Sequence, residues 1–247
     1  MNAALKSCLA LVARAYGLMA TIPFRVKPSQ VAKPKDVAHA DWVDYLSGTF
    51  NKKGMRVLEL GSRNVTGVNL RSRFADADYV GFDFYAGENV DIVGDAHGLS
   101  SYFREEERFD LIFSSAVFEH LCMPWIVAEE IQKLLKVGGY VFVETHFSFM
   151  SHERPWNFFQ FSDMALRALF NDSLGFDLVD RGMSNPMSGF FAHAADRHLK
   201  YLPVTELYCH SAILCRKRCD VEGFDWHRVQ LDGVVDGTRY PTSDLRS

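Results

Sequence analysis

Val57-Leu58-Glu59-Leu60-Gly61-Ser62 is a short apolar run that carries one carboxylate and breaks at a glycine. A second run, Val80-Gly81-Phe82-Asp83, ends in an acid about twenty residues further on, the spacing used by nucleotide-binding βαβ units. Strand, glycine turn, helix, strand and acid together hold a nucleotide-like ligand at the edge of a parallel sheet. The glycine lets backbone N–H groups approach the ligand, where a Cβ would stand in the way. The acid accepts hydrogen bonds from two ribose hydroxyls.

Outward from this unit, apolar periodicity alternates between the two regular patterns. It predicts helices over 40–50, 67–75, 98–106, 124–136 and 162–171. Strands are expected over 55–60, 79–84, 90–94, 109–114, 139–146 and 175–181, with a last one from Leu207 to Leu214. Such alternation implies an α/β, Rossmann-like doubly wound fold: a mostly parallel seven-stranded sheet with helices on both faces. The expected organisation is an N-terminal extension (1–36), a main domain (37–220) with substrate-side insertions near 147–161 and 185–204, and a C-terminal tail (221–247).

Composition narrows the partners. A net charge of −4 disfavours nucleic acid, which needs clustered Lys and Arg. The five cysteines form no CxxC pair, so no metal is expected of them, and free thiols in a reducing cytoplasm are the simplest reading. Near the N-terminus Leu5, Leu9, Val12, Tyr16 and Met19 recur at helical spacing, and six basic residues stand against one acid in 1–36. Such a helix packs on its own domain or a second subunit, or rests peripherally on an anionic membrane through residues 1–24. Pro23, Pro28 and Pro34 make 23–36 an extended connector.

Further chemistry follows the later strands. Gly94-Asp95-Ala96-His97 places an acid beside a small residue, suited to accept from an exocyclic amine. Phe109 to Ser115 opens a buried strand into small polar residues, followed by Val117-Phe118-Glu119-His120-Leu121. Leu134-Leu135-Lys136-Val137-Gly138-Gly139 reads as a helix ended by glycines.

In the order and spacing of these elements, residues 54–182 resemble the class I S-adenosylmethionine-dependent methyltransferases, in particular the methyltransferase type 11 group. The resemblance implies S-adenosylmethionine as cofactor. It puts Glu59, Gly61 and Ser62 at the methionine part, Asp83 at the ribose, Asp95 with Ala96 at the adenine, and Ser114 and Ser115 on the methionine side. Glu119-His120-Leu121 is similar to that family's turn into the next helix, and Leu135 to Gly139 to its L-K-P-G-G element. Arg63 stands where a second loop glycine is usual, so its side chain must turn away from the cofactor or reach the cofactor carboxylate. A nicotinamide enzyme, the rival on this fold, needs G-x-G-x-x-G, which this turn lacks.

Methyl transfer to a hydroxyl needs a base at the cleft, and the candidates are His146 and His152, with His120 assigned to the turn. Phe147, Phe149, Trp156, Phe158, Phe159 and Phe161, then Phe190, Phe191 and Tyr201, supply aromatic walls suited to a sugar ring or flat acceptor. The expected activity is O-methylation of a small molecule or a glycan. The alternative is a cofactor-binding or assembly protein that has lost catalysis.

Overall fold

In a computed structural model of the protein, the structure describes residues 31–65 and 67–235, together with Cys8, Leu11, Val12 and residues 14–19. Seven strands form one sheet: β1 (Arg56–Leu60), β2 (Asp78–Asp83), β3 (Ile92–Val93), β4 (Phe109–Ser115), β5 (Leu135–His146), β6 (Phe176–Phe190) and β7 (Pro203–Lys217). Their order is β3-β2-β1-β4-β5-β7-β6. The first five are parallel, while β7 runs antiparallel to both β5 and β6. The strand order reverses between β1 and β4, which opens a crevice at their carboxyl ends, where Leu60 pairs with Ser114.

Both faces are covered, as the alternation implies. Helix α1 (Trp42–Phe50) buries Trp42, Leu46 and Phe50 on one face, and Trp42 stacks on Phe142 at 4.9 Å. Helices α2 (Pro124–Leu134) and α3 (Asp163–Leu169) cover the other, over Leu58, Ile112, Val141 and Ile213. Helix α2 passes into β5 with no intervening loop. Its last carbonyls would be buried without partners, but Lys217, fully buried, donates its ammonium to the carbonyls of Gln132 and Leu135 and to Asp220.

Three expectations change. The segments 67–75 and 98–106 form only 3₁₀ turns, Arg71–Phe74 and Ala96–Tyr102, because Asn, Ser and Gly side chains there favour local turns over helix. Asn69, for instance, offers its carbonyls to both the N–H and hydroxyl of Ser72. The glycines at 138–139 do not end a helix but form a bulge inside β5, whose pairing with β4 shifts between Phe109 and Leu111. Gly138 takes a left-handed φ of +86° there. The last two strands are far longer than their apolar cores, because β6 and β7 continue past the sheet as a two-stranded ribbon from Pro186↔Tyr208 to Phe190↔Pro203.

The chain before α1 is tied to β6. Asp180 accepts from the backbone N–H of Lys35, Asp36 and Val37, and the carbonyl of Ala32 accepts from Met183 N–H. Asp180→Ala strands three donors, one on fully buried Val37, and is expected to destabilise the fold by about 1–3 kcal/mol in urea unfolding. The described N-terminal residues are helical, with Val12, Tyr16 and Met19 exposed rather than packed on the domain. Leu5 and Leu9 lie outside the described residues. No helix among the described residues is long and apolar enough to cross a membrane. At the other end, Phe224 and Trp226 pack on the core and the Trp226 indole N–H bonds Glu129 of α2, so the described part of the tail straps the domain.

Candidate functional site

The crevice has two halves, set by which strand ends reach it. The first gathers the ends of β1 and β2. Gly61 turns with φ of +83°, and a Cβ built there would lie 2.2 Å from Val117 of the turn after β4, so only glycine fits. Its N–H and that of Ser62 both donate to the carbonyl of Phe82, which fixes the loop against β2. The Ser62 hydroxyl points inward at Gly81, buried and without a hydrogen-bond partner among the described residues. Glu59 is buried one residue short of the strand end. Burial pushes its carboxyl up to about 8, Arg71 opposes this, and the Asp83 charge adds to it.

Arg63 turns onto Asp83 and Tyr85. Its side chain folds back across Gly87, with Nε 3.6 Å from Asp83 Oδ1 and the guanidinium over the Tyr85 ring. Asp83 also accepts from the backbone N–H of Arg63 at 3.2 Å and of Tyr85 at 2.9 Å. An ionised carboxylate offers roughly four acceptor sites, so a ribose diol can still be held. Asp95 caps the 3₁₀ turn that begins at Ala96, and its Oδ1 accepts from both the backbone and the imidazole of His97. Burial raises this carboxyl, but the two His97 bonds outweigh it and hold it below the ordinary range. Ser114 is buried and donates to the carbonyl of Leu60, tying β4 to β1, whereas Ser115 donates to Glu144.

The second half lies at the ends of β4, β5 and β7 and is rich in imidazole. His146 Nδ1 lies 2.6 Å from Oε1 of Glu119, which is fully buried and also accepts from Thr145. Burial pushes Glu119 up, but the bonds from His146 and Thr145 outweigh it and hold the carboxyl below the usual range. The carboxylate therefore accepts from Nδ1, and the ring's other nitrogen, Nε2, is left to face away from Glu119. A second pair stands beside it. His39 Nδ1 is 2.8 Å from buried Glu144, whose hydrogen bond raises the imidazole while partial burial lowers it. His210, opposite His146 in the β5–β7 register, stacks on His39 at 3.9 Å and is pushed down by burial.

His152 and His120 complete the cluster, with ring centroids 4.9 Å apart and His152 5.5 Å from His146. Each offers Nδ1 to a backbone carbonyl, His120 to Trp156 at 2.7 Å and His152 to Met150 at 3.0 Å. Phe149 stacks on His146 at 4.3 Å, and Trp156 approaches Phe84 across the crevice. Beside them an open depression of about 500 Å³ is lined by Ser148, Phe149, Met150, Gln160 and Met187. Phe159 and Phe161 instead belong to the core.

The structure thus brings His146 and His152 together, and Glu59, Arg63 and Asp83 together. Sequence reasoning quoted Glu119 only as part of a turn and missed Glu144, His39 and His210. An acid two residues before a histidine on a buried strand was the available signal for Glu144. His39 lies 105 residues from its partner in the chain and carried no local signal.

No curated protein matches the chain. Among solved structures, an S-adenosylmethionine-dependent methyltransferase from Archaeoglobus fulgidus superimposes with a TM-score of 0.51 at 13% identity, covering 72% of this chain and 96% of its own. A second is 1,6-didemethyltoxoflavin-N1-methyltransferase of Burkholderia thailandensis, solved with 1,6-didemethyltoxoflavin and S-adenosylhomocysteine. Its TM-score is 0.50 at 12% identity, over 71% and 76% of the two chains. At such identities the likeness is one of fold. The family itself comes from residues 34–207, which match the model of the methyltransferase domain and include the first half of the crevice together with His39, Glu119, Glu144 and His146 of the second. This chain belongs to that family and is a class I S-adenosylmethionine-dependent methyltransferase.

Proposed function

We propose that this enzyme methylates a hydroxyl of a small molecule or a glycan, with His146 as general base. The observation that carries the reading is the Glu119–His146 pair, an imidazole held by a buried ionised carboxylate at the end of β5. That arrangement fixes the tautomer and leaves Nε2 to take a proton from an attacking hydroxyl. A thiol acceptor, more acidic than an alcohol, would have less need of it. His152 has a backbone carbonyl rather than a carboxylate behind it, which favours His146 as the base.

The first half of the crevice fits the cofactor. Asp83 would hold the ribose hydroxyls, Asp95 and Ala96 would border the adenine, and Glu59 with the Gly61–Ser62 turn would face the methionine part. When bound, S-adenosylmethionine supplies the electrophilic methyl group. Ser114 serves that half through the strand tie to Leu60, and Ser115 serves the other by fixing Glu144. Arg63 lies on Asp83, so a bound ribose would share that carboxylate with the Arg63 guanidinium. Phe149, Phe84 and Trp156 would flank a ring-shaped acceptor and exclude water. The exposed N-terminal stripe is left for a second subunit or an anionic membrane surface.

The test couples cofactor binding to turnover. S-adenosylhomocysteine at 100 times its dissociation constant should stabilise the protein by roughly 2.7 kcal/mol, and Asp83→Ala should abolish most of that shift. The demethylated product should then appear with hydroxyl acceptors and not with matched amine or thiol acceptors. Turnover confined to amines would overturn the hydroxyl reading.

A further inference from the structure

We propose that Glu119, His120 and His152 form a binding site for one divalent transition-metal ion of the zinc or manganese class. One Glu119 carboxylate oxygen and one ring nitrogen from each histidine lie within 4.8 Å of one another. Oε1 of Glu119 is 4.0 Å from His120 Nε2, and Glu153 Oε2 approaches the same nitrogen to 3.8 Å. Ligand bonds of about 2.1 Å need donors some 3.0–3.4 Å apart, so closure asks each pair to approach by at most about 1.4–1.8 Å, shared between the two side chains.

The second observation is the orientation of both rings. A backbone carbonyl can only accept, so the contacts of Nδ1 with Trp156 and Met150 place the proton on Nδ1 of each ring. That leaves Nε2 of each ring as the free donor, and His120 Nε2 faces Glu119 Oε1 across 4.0 Å. A carbonyl behind each imidazole is the support that metal-ligating histidines use to fix tautomer and direction. Glu119 is anchored in the same way, by Thr145 and His146. Two imidazoles and a carboxylate suit zinc, manganese or cobalt better than calcium or magnesium, which take oxygen ligands.

A neighbouring group, His146, Cys209 and His210, is equally close-set but poorer in donors. The Asn185 amide donates to His210 Nδ1 and occupies that lone pair. Burial, then the Glu144 charge, raises the Cys209 thiol, which makes its thiolate the costlier ligand. The ion therefore belongs to the Glu119 group.

Ion binding follows from donor geometry alone; a part in the reaction rests on the hydroxyl reading above. Three protein ligands, with Glu153 at the rim, leave room for an acceptor oxygen beside His146. There the cation would ease loss of the hydroxyl proton to His146 Nε2.

The experiment titrates chelator-treated full-length protein with Co²⁺, without cofactor or acceptor, and follows visible d–d absorption and calorimetry. One Co²⁺ per chain is expected, displaced by Zn²⁺. His120→Ala and His152→Ala, with the Gln variants as gentler replacements, should each weaken binding by about a hundredfold or more. His210→Ala and Cys209→Ser should stay within about threefold of wild type. A retained melting shift with S-adenosylhomocysteine reports that each variant is folded with its cofactor crevice intact. No Co²⁺ band in the wild type, a band that survives both His120 and His152 substitutions, or one lost with His210→Ala overturns the site. A cofactor shift without Co²⁺ binding removes the ion and leaves the methyltransferase reading standing.

Discussion

His146→Asn is expected to lower kcat by about 10²- to 10⁴-fold while leaving S-adenosylhomocysteine affinity within a few-fold of wild type. The asparagine amide can still meet Glu119, so the fold is kept, but no lone pair of suitable basicity remains at the Nε2 position. The rate–pH profile should separate loss of a base from a bystander effect. The base works only unprotonated, so the wild-type rate falls towards acid, and the variant's residual rate should lose that limb. Glu119→Gln should give a smaller fall with the cofactor affinity preserved, because the neutral amide cannot stabilise the imidazolium that forms. Unchanged turnover in His146→Asn would rule out the imidazole as base and shift attention to His152.

Glu59→Gln is expected to stabilise the protein at pH 9 by an amount on the order of 4 kcal/mol and to weaken cofactor binding. The native carboxyl is raised from the ordinary 4.5 to about 8 by burial, with Arg71 opposing and Asp83 adding to it. Below about pH 4.5 both folded and unfolded chains hold the proton, and Glu59 makes no difference. Between about 4.5 and 8 the unfolded chain releases it while the folded one retains it, so stability falls as pH rises. Above about 8 the loss is complete. Glutamine has no such term, so the two urea-unfolding curves should coincide near pH 4.5 and diverge towards pH 9. Binding should behave oppositely. A cationic methionine ammonium beside Glu59 favours the carboxylate, so wild-type affinity should rise with pH up to about 8 with release of a proton. The variant should bind about tenfold or more weakly, without that pH dependence. Parallel stability curves for the two proteins would show that Glu59 ionises normally.

The metal-ion and base proposals meet at one residue. Glu119 orients His146 through Nδ1 and faces His120 across 4.0 Å. Its substitution alone cannot apportion the two roles. His146→Asn reads the base and His152→Ala reads the ion, which is why the paired measurements use those positions.

The first half of the site was legible in the chain because its geometry is local. Glu59, Gly61 and Asp83 lie at the ends of the neighbouring parallel strands β1 and β2, and the strand period and the glycine turn fix where they point. Secondary structure was less legible where side-chain hydrogen bonds competed with the helix. Asn69 with Ser72, and Asp95 with His97, turned two expected helices into 3₁₀ turns. The length of β6 and β7 was hidden because beyond the sheet the strands pair only with each other, so no buried face marks them.

By itself the sequence determined the parallel sheet and a nucleotide-like site at its strand ends, since periodicity and strand-end residues are written within short segments; the cofactor class came from the resemblance of their order and spacing to a known family. Only tertiary structure decided that His39, Glu119, Glu144, His146 and His210 meet. Their pairings join segments from 27 to more than a hundred residues apart, through β5–β7 register and the Asp180 anchor on residues 35–37. It also decided the fate of Arg63. Nothing local says which way a flexible cation turns, and the nearby Asp83 carboxylate and Tyr85 ring draw it onto themselves.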